Sequence, residues 1–283
     1  LVNEVCAAYC RFCFRKRLFM NENDEVTKDI SEGLEYIKNN KQVNNVLLTG
    51  GDPLVMSTSK LEPIIKQLRE IDHVKIIRIG TKVPAFNPFR ILNDPSLLEM
   101  FKTYSTAEKK IYIMAHFNHP RELTSEAIEG LDLLLKSGVT LVNQTPLVQG
   151  VNDDPEVLAE LFAKLSYIGV PPYYVFLCRP TLGNETYSVP IERGFEIFEK
   201  ARTLCSGLAK RARMVMSHES GKIEVVGMTE EQIFFKYLRA ADKHNDARFM
   251  IYDRNPEANW FDDYGETLDE FSWFSPSVQA GCS

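Results

Sequence analysis

The chain has 283 residues and a mass of 32.4 kDa, with 44% hydrophobic and 25% charged residues, enough for one large or two small buried cores. Its 33 Lys and Arg against 39 Asp and Glu leave a net charge of −6 and a pI near 5.5, which argues against a dedicated nucleic-acid binder. No run of about 18 apolar residues exists, so a transmembrane helix is excluded. Six cysteines are too sparse for a secreted disulfide scaffold, and the composition points to a soluble cytoplasmic protein.

The sequence opens at Leu1, with no charged n-region or apolar h-region ahead of its richest motif. It carries no signal-peptide pattern and reads as a fragment lacking its natural N-terminus. Val2–Ala7 is the first candidate strand. Helical spacing follows at Ile30–Lys38, then a short β-branched run at Asn45–Leu48. The alternation continues with helix Leu61–Ile71, strand Val74–Ile79, helix Pro95–Tyr104, strand Lys110–Ala115, helix Ser125–Lys136, strand Val139–Val142, helix Pro155–Ile168 and strand Tyr173–Leu177. Turn-rich stretches such as Lys136-Ser137-Gly138 punctuate it.

Strands separated by helices make βαβ units and hence a parallel sheet. Counting Val2–Ala7, about six units are expected, which suits an α/β barrel or partial barrel over residues 1–211. Beyond about residue 212 the pattern changes. Strand-like runs at Ile223–Val226 and Ile233–Tyr237 follow one another without a helix, so residues 212–283 read as an extension of short strands. Its aromatic, acidic tail Asn259-Trp260-Phe261-Asp262-Asp263-Tyr264 reads as irregular chain packed on the barrel, with a lid or partner-binding strip as the alternative. In such barrels chemistry sits at the C-terminal ends of the strands.

The densest motif is Cys6-Ala7-Ala8-Tyr9-Cys10-Arg11-Phe12-Cys13, a C-x3-C-x2-C run. Structural zinc takes four ligands, commonly in two C-x2-C pairs, and no second pair exists here. A cubane iron–sulfur cluster normally takes four thiolates. Three leave one iron open for another ligand. Leu48-Thr49-Gly50-Gly51-Asp52-Pro53 ends the next strand. Its two glycines allow close backbone approach, and exposed carbonyls or the carboxylate can accept hydrogen bonds from an ammonium group. On its own the tetrapeptide is only a turn.

The cysteine spacing, with aromatic Phe12 just before the third Cys, resembles that of radical S-adenosylmethionine (SAM) enzymes. The resemblance implies a partial (β/α)6 barrel, a [4Fe-4S] cluster on Cys6, Cys10 and Cys13, and SAM chelated by the open iron. Gly50, Gly51, Asp52 and Pro53 then match the motif for the SAM amino group.

More of the chain resembles the lysine 2,3-aminomutases, from Cys6 to about Lys222. The matching blocks are Tyr9-Cys10-Arg11-Phe12-Cys13-Phe14-Arg15-Lys16-Arg17, His116-Phe117-Asn118-His119-Pro120, Asn143-Gln144-Thr145, and Pro172-Tyr173-Tyr174 with Cys178. The resemblance implies that His116 and Gln144 contact SAM. It also implies that Arg15 binds the substrate α-carboxylate, to which a guanidinium offers two parallel hydrogen bonds. The plain alternatives are a core histidine, a capping glutamine and a surface arginine.

That family also uses pyridoxal phosphate (PLP), held by a lysine at the end of a glycine-rich stretch. The matching stretch, Ser217-His218-Glu219-Ser220-Gly221-Lys222, keeps Gly221-Lys222 and has lost the glycine run, so Lys222 is the candidate Schiff-base lysine. Lysine-specific members carry an Asp after the cysteine that matches Cys178 and another in the glycine-rich stretch. Here Arg179 stands at the first place, and Met214–Lys222 holds no Asp. A cation facing a substrate cation is unfavourable, so an amino acid with an acidic or neutral side chain, of glutamate type, is expected. His218 or Glu219 offers a compensating polar contact.

The activity implied is a radical SAM, PLP-dependent isomerase moving an amino group between C2 and C3 of an amino acid. Its partners would be that small-molecule substrate and an electron donor such as flavodoxin or ferredoxin, with no nucleic acid and no membrane; a homo-oligomer is compatible. Two alternatives stay open. One is a radical SAM enzyme of another reaction type without PLP. The other is an iron–sulfur or zinc protein without SAM chemistry, which requires a fourth thiolate, for instance Cys178.

Overall fold

The computed structural model describes residues 1–16 and 29–271. Arg17 of the first matching block and Cys282 lie outside the described residues. Contacts divide the chain into two units, Leu1–Gln144 with Leu161–Pro172, and Thr145–Glu160 with Tyr173 onward. The fold is mixed α/β.

The first unit alternates strand and helix, as the periodicity predicts. Helix α1 (Ser31–Asn39) precedes β1 (Asn45–Leu48), and α2 (Thr58–Arg69) leads to β2 (Ile76–Thr81). The short helices α3 (Val83–Phe86) and α4 (Phe89–Leu92) precede α5 (Pro95–Tyr104) and β3 (Ile111–Ala115). Helix α6 (Ser125–Lys136) is followed by β4 (Thr140–Leu147), and α7 (Pro155–Tyr167) comes after it. Strands β1 to β4 pair in parallel in chain order, with Asn45 opposite Ile76, Ile77 opposite Ile111 and Tyr112 opposite Thr140. Each crossover carries a helix, which is what parallel neighbours require.

Side-chain spacing explains the packing. In α6, Ala127, Gly130, Leu131 and Leu134 are buried at the i, i+3, i+4, i+7 spacing of one helix face. Thr124 caps its first turn, Oγ1 accepting from Ala127 N at 3.2 Å, and Gly138 at φ +85° ends the connection. Along β2 burial alternates, with Ile77, Ile79 and Thr81 inward. Ile77 and Ile79 join Leu61, Ile65, Leu97, Phe101 and Leu131 from the helices in one core. Truncating any one to Ala costs about 3 kcal/mol.

The second unit begins with the parallel pair β5 (Pro172–Leu177) and β6 (Arg213–His218), separated by α8 (Ile191–Thr203). From there pairing is antiparallel through β7 (Gly221–Met228), β8 (Gln232–Ala240), β9 (Phe249–Asp253) and β10 (Asp269–Phe271). Gly194 lets α8 approach closely, since a Cβ there would stand 2.9 Å from both Leu147 and Met214 side chains. On the same helix Glu192 is buried, receiving Arg254 Nε at 2.8 Å and Asn255 N at 2.6 Å. The aromatic tail is packed chain: Phe261 and Tyr264 lie edge-on to Phe235, with ring centroids 5.3 and 5.1 Å away.

The strand expected at Val2–Ala7 is not one. It is an extended segment making a single parallel bridge, Asn3 to Gly50, with Val2 N donating to Thr49 O at 2.8 Å. The sixth strand in parallel pairing is β6, whose Arg-Met-Val-Met-Ser-His sequence lacks the β-branched run that marks the others.

Candidate active site

The three cysteines of the motif are half-buried, unpaired thiols in the segment crossing the end of β1. Gly50 and Gly51 make that crossing possible. Gly50 sits at φ +133°, and a Cβ on it would overlap Asn3 O; one on Gly51 would stand 2.5 Å from Val5 O. The close approach foreseen for these glycines is therefore an approach by the chain's own cysteine-bearing segment. Gly51 N and Asp52 N donate to Asn3 O and Val5 O at 2.5 and 2.9 Å, and Asn3 Nδ2 donates to Asp52 O at 2.8 Å.

The Asp52 carboxylate, expected with the exposed carbonyls of this turn as a candidate acceptor for an ammonium group, is held by backbone donors. The side chain is buried, Oδ1 accepting from Leu54 N at 3.0 Å and Oδ2 from Lys82 N at 2.7 Å and Val83 N at 3.2 Å. It thus ties the loop after β1 to the loop after β2. Burial pushes its carboxyl up while these donors and Thr81 pull it down. Pro53 is buried and opens the short turn that Asp52 caps. Arg15 clamps the same strand end, Nη1 donating to Thr49 Oγ1 at 2.8 Å and Gly50 O at 3.2 Å.

The thiols suit a cationic metal group. Burial pushes Cys6 up to about 12, helped by the negative charges of Asp52, Cys13 and Cys10. Burial likewise raises Cys10 to about 11, opposed by Lys82 and reinforced by Cys13, Glu122 and Asp52. Gathered thiolates repel unless a metal neutralises them. Donors already point at the sulfurs: Arg15 N lies 3.4 Å from Cys13 Sγ, and Asp52 N–H favours the Cys6 thiolate. Among the described residues no set of three or more His, Cys, Asp or Glu converges on one metal ion. A cluster spreads its thiolates over separate irons and needs no such convergence.

His116 follows β3 directly. Phe12, between the second and third cysteines, stands edge-on to its ring at 6.2 Å. Burial and the Lys82 cation hold the imidazole well below its usual pKa, so it is neutral at pH 7. Its Nε2 is buried without a hydrogen-bond partner among the described residues. A buried imidazole nitrogen in that state fits a site completed by a bound group, as SAM would complete it. Asn143 on β4 steadies the neighbourhood, accepting from Phe117 N at 2.8 Å and donating to Phe117 O at 3.2 Å. Gln144 follows on the half-buried face of β4.

Lys82 and Glu122 were not foreseen. Lys82 Nζ lies 3.0 and 3.1 Å from the two Glu122 carboxylate oxygens and 3.1 Å from His116 O. Glu122 Oε2 also accepts from Asn118 N at 2.7 Å. The usable signal was position, because Lys82 directly follows a parallel strand, where barrel chemistry gathers.

In the second unit, Lys222 lies on β7 opposite Ser217 of β6. Its Nζ stands over the rings of Tyr174 and Phe176, 4.4 and 4.9 Å from their centroids. Gly221 has a structural reason of its own: at φ +145° a Cβ would overlap Arg239 O and stand 2.8 Å from Ala240 Cα. An amine half-buried against two aromatic faces fits a Schiff-base lysine. Arg179, exposed beyond β5, donates to Ser217 O. His218 is engaged elsewhere, Nε2 lying 3.0 Å from Asp262 Oδ1 and Nδ1 2.7 Å from Ser220 Oγ. Cys178 and Cys205 are buried and donate to Leu147 O and Ala159 O at 3.2 and 3.5 Å, so neither is presented as a fourth thiolate.

Residues 1–162 match the model of the Radical SAM superfamily. The chain is 61% identical over 272 residues to a putative L-lysine 2,3-aminomutase of Aquifex aeolicus, covering 96% of this chain and 73% of that protein. It is 44% identical over 209 residues to an L-lysine 2,3-aminomutase of Acetoanaerobium sticklandii, covering 73% of this chain and 49% of that one. With a glutamate 2,3-aminomutase of Clostridioides difficile it shares 37% identity over 221 residues, 78% of this chain and 51% of the relative. The chain thus spans about half the length of the latter two. Among the described residues no helix is long and apolar enough to cross a membrane. The cysteine segment, the glycine crossing and the sequence matches together make the chain a member of the radical SAM superfamily and, within it, of the lysine 2,3-aminomutase family.

Proposed function

We propose that this chain is the core of a radical SAM, PLP-dependent 2,3-aminomutase acting on an amino acid with an acidic or neutral side chain. Cys6, Cys10 and Cys13 hold a [4Fe-4S] cluster, and His116 and Gln144 line the SAM site. The observation that carries this reading is the neutral, buried His116 with an unmatched Nε2 beside the cysteine segment. When bound, the reduced cluster with SAM supplies hydrogen-atom abstraction from an unactivated carbon, and PLP supplies the carbonyl that takes up the migrating amino group.

The chain's own residues have narrower tasks. Asn3, Gly50, Gly51 and Asp52 hold the cysteine segment on the end of β1. Arg15, held at the end of β1 through Nη1, is the residue assigned to the substrate carboxylate, for which a guanidinium is a bidentate donor. Lys222 offers its amine to PLP from a site sheltered by Tyr174 and Phe176. Arg179 sets the distal charge of the substrate. A flavodoxin- or ferredoxin-type protein provides the electron.

The test uses full-length protein, reconstituted with iron and sulfide without oxygen, given PLP, reduced with borohydride and mapped by mass spectrometry. A pyridoxyl adduct on Lys222 is the expected result. SAM cleavage with Lys222 unmodified would instead leave a radical SAM enzyme of another reaction type.

A further inference from the structure

Three consecutive residues beyond β3 are held by side chains from three separate segments. Lys82, the first residue after β2, donates from Nζ to His116 O at 3.1 Å. Asn143 on β4 accepts from Phe117 N at 2.8 Å and donates to Phe117 O at 3.2 Å. Glu122, in the turn that follows, accepts from Asn118 N at 2.7 Å. Lys82 and Glu122 also hold each other, with Nζ 3.0 and 3.1 Å from the two carboxylate oxygens, so the pair is neutral as a whole. Thr81 stands opposite Ala115 in the β2–β3 register, so Lys82 and His116 leave their strands side by side.

This clamp is more rigid than the chain alone would be. The Lys82 side chain is 8% exposed, and a buried ion pair costs desolvation energy that its Coulomb attraction only partly returns. Its backbone N–H is held by Asp52 Oδ2 at 2.7 Å, and its Nζ stands 4.6 Å from the Phe86 ring centroid, so the residue is fixed at both ends. What the clamp leaves unmatched is the ring of His116. Its buried Nε2 has no partner among the described residues, and Phe12 of the cysteine segment stands edge-on to it at 6.2 Å. A fixed backbone beneath an unmatched ring nitrogen suits a preset ligand contact, because a group ordered before binding spares the ligand that cost.

We propose that Lys82 and Glu122 are positioning residues for SAM binding. By fixing the His116 carbonyl and the Asn118 N–H, they hold the His116 imidazole where it meets the bound group, and they act through that ring without touching SAM themselves. The inference rests on the SAM-site reading above.

The experiment measures equilibrium binding of radiolabelled SAM to the reconstituted full-length protein, its cluster left oxidised so that no turnover occurs, at equal iron content in every variant. The test protein carries Lys82→Met together with Glu122→Gln. It loses the donor to His116 O, keeps an acceptor for Asn118 N, and leaves no buried charge unpaired. Its Kd is expected to rise about tenfold over wild type, and the same two changes made in His116→Ala to alter Kd by less than about twofold. Lys82→Arg, which keeps a charged donor, is expected to bind SAM as the wild type does. A contribution to the fold alone would weaken binding by the same factor in both backgrounds, and that result overturns the proposal. So does an unchanged Kd in the test protein. If the test protein retains no cluster, Glu122→Gln alone, which frees Lys82 from its carboxylate, is put through the same cycle and decides. His116→Ala binding SAM as tightly as the wild type overturns the SAM-site reading itself, and so is distinguishable from a His116 that binds SAM without help from the clamp.

Discussion

At the scale of single residues, the end of β1 is held by groups with no slack. Asp52 receives three buried backbone N–H groups, from Leu54, Lys82 and Val83. Asp52→Ala leaves them unmatched, and a loss of about 3 kcal/mol is expected in urea unfolding. Gly50 is constrained differently, by the Asn3 carbonyl and a φ of +133°. Gly50→Ala must push the cysteine segment away, so less iron per chain is expected after reconstitution. Gly33 is the internal control. It lies in α1 with nothing within 4 Å of its would-be Cβ, and Gly33→Ala should leave iron uptake unchanged while adding about 0.5–1 kcal/mol of stability.

At the scale of elements, α5 carries a pH-dependent cap. Asp94 Oδ1 accepts from Ser96 N at 3.0 Å and Leu97 N at 3.3 Å, while Oδ2 accepts from Thr58 Oγ1 at 2.7 Å and Arg90 Nη1 at 2.6 Å. Burial pushes its pKa up, but hydrogen bonds from Ser96, Thr58 and Arg90 outweigh it and bring the carboxyl from 3.8 down to about 2. A folded pKa below the unfolded one means stability that is full above about pH 4 and lost as pH falls towards 2. Asp94→Asn keeps the capping oxygen and loses that dependence. The gap between wild-type and variant urea midpoints is therefore expected to close between pH 5 and pH 2.5.

The same scale separates what was legible from what was not. Strands β1 to β5 and the longer helices α2, α5, α6 and α7 between them were readable because their periodicity is written locally, in runs such as Ile77–Ile79 and Ala127–Leu134, whereas the short helices α3 and α4 were not read. Val2–Ala7 has strand-like composition, but a strand is made by a ladder, and this segment finds one bridge. The motif residues were legible as chemistry, yet their geometry was not. Nothing in Gly50-Gly51 says that Asn3 and Val5 are the backbone approaching it. Lys82 and Glu122 stand far apart in sequence, and the pair exists only once the β2 and β3 ends lie side by side. Spacing within a motif survives in one dimension, whereas pairing across strand ends does not.

At the scale of the whole molecule, charge bears on substrate choice. The chain carries −6 overall, which repels an anionic amino acid at long range. That field is screened beyond about 8 Å at physiological salt, so charges near the site decide. In the second unit, Arg179 is tied to Ser217 O, and Ser217 stands opposite Lys222 in the β6–β7 register. The guanidinium therefore reaches the β6 residue that stands opposite the candidate amine. If Lys222 carries PLP as proposed, an amino acid joined to it would present its distal group to that neighbourhood. On the proposed function, a lysine ammonium would meet a like charge there, whereas a glutamate carboxylate would meet an opposite one. In full-length holoenzyme, glutamate is expected to exceed lysine in kcat/KM, with the β-amino acid product followed by NMR. Arg179→Asp should move that ratio towards lysine by about tenfold or more, one favourable charge pair replacing one repulsive pair. Raising salt should weaken the wild-type preference, because the discriminating side chain is exposed. A lysine preference in the wild type, unmoved by Arg179→Asp, would assign discrimination to other residues and remove Arg179 from the site.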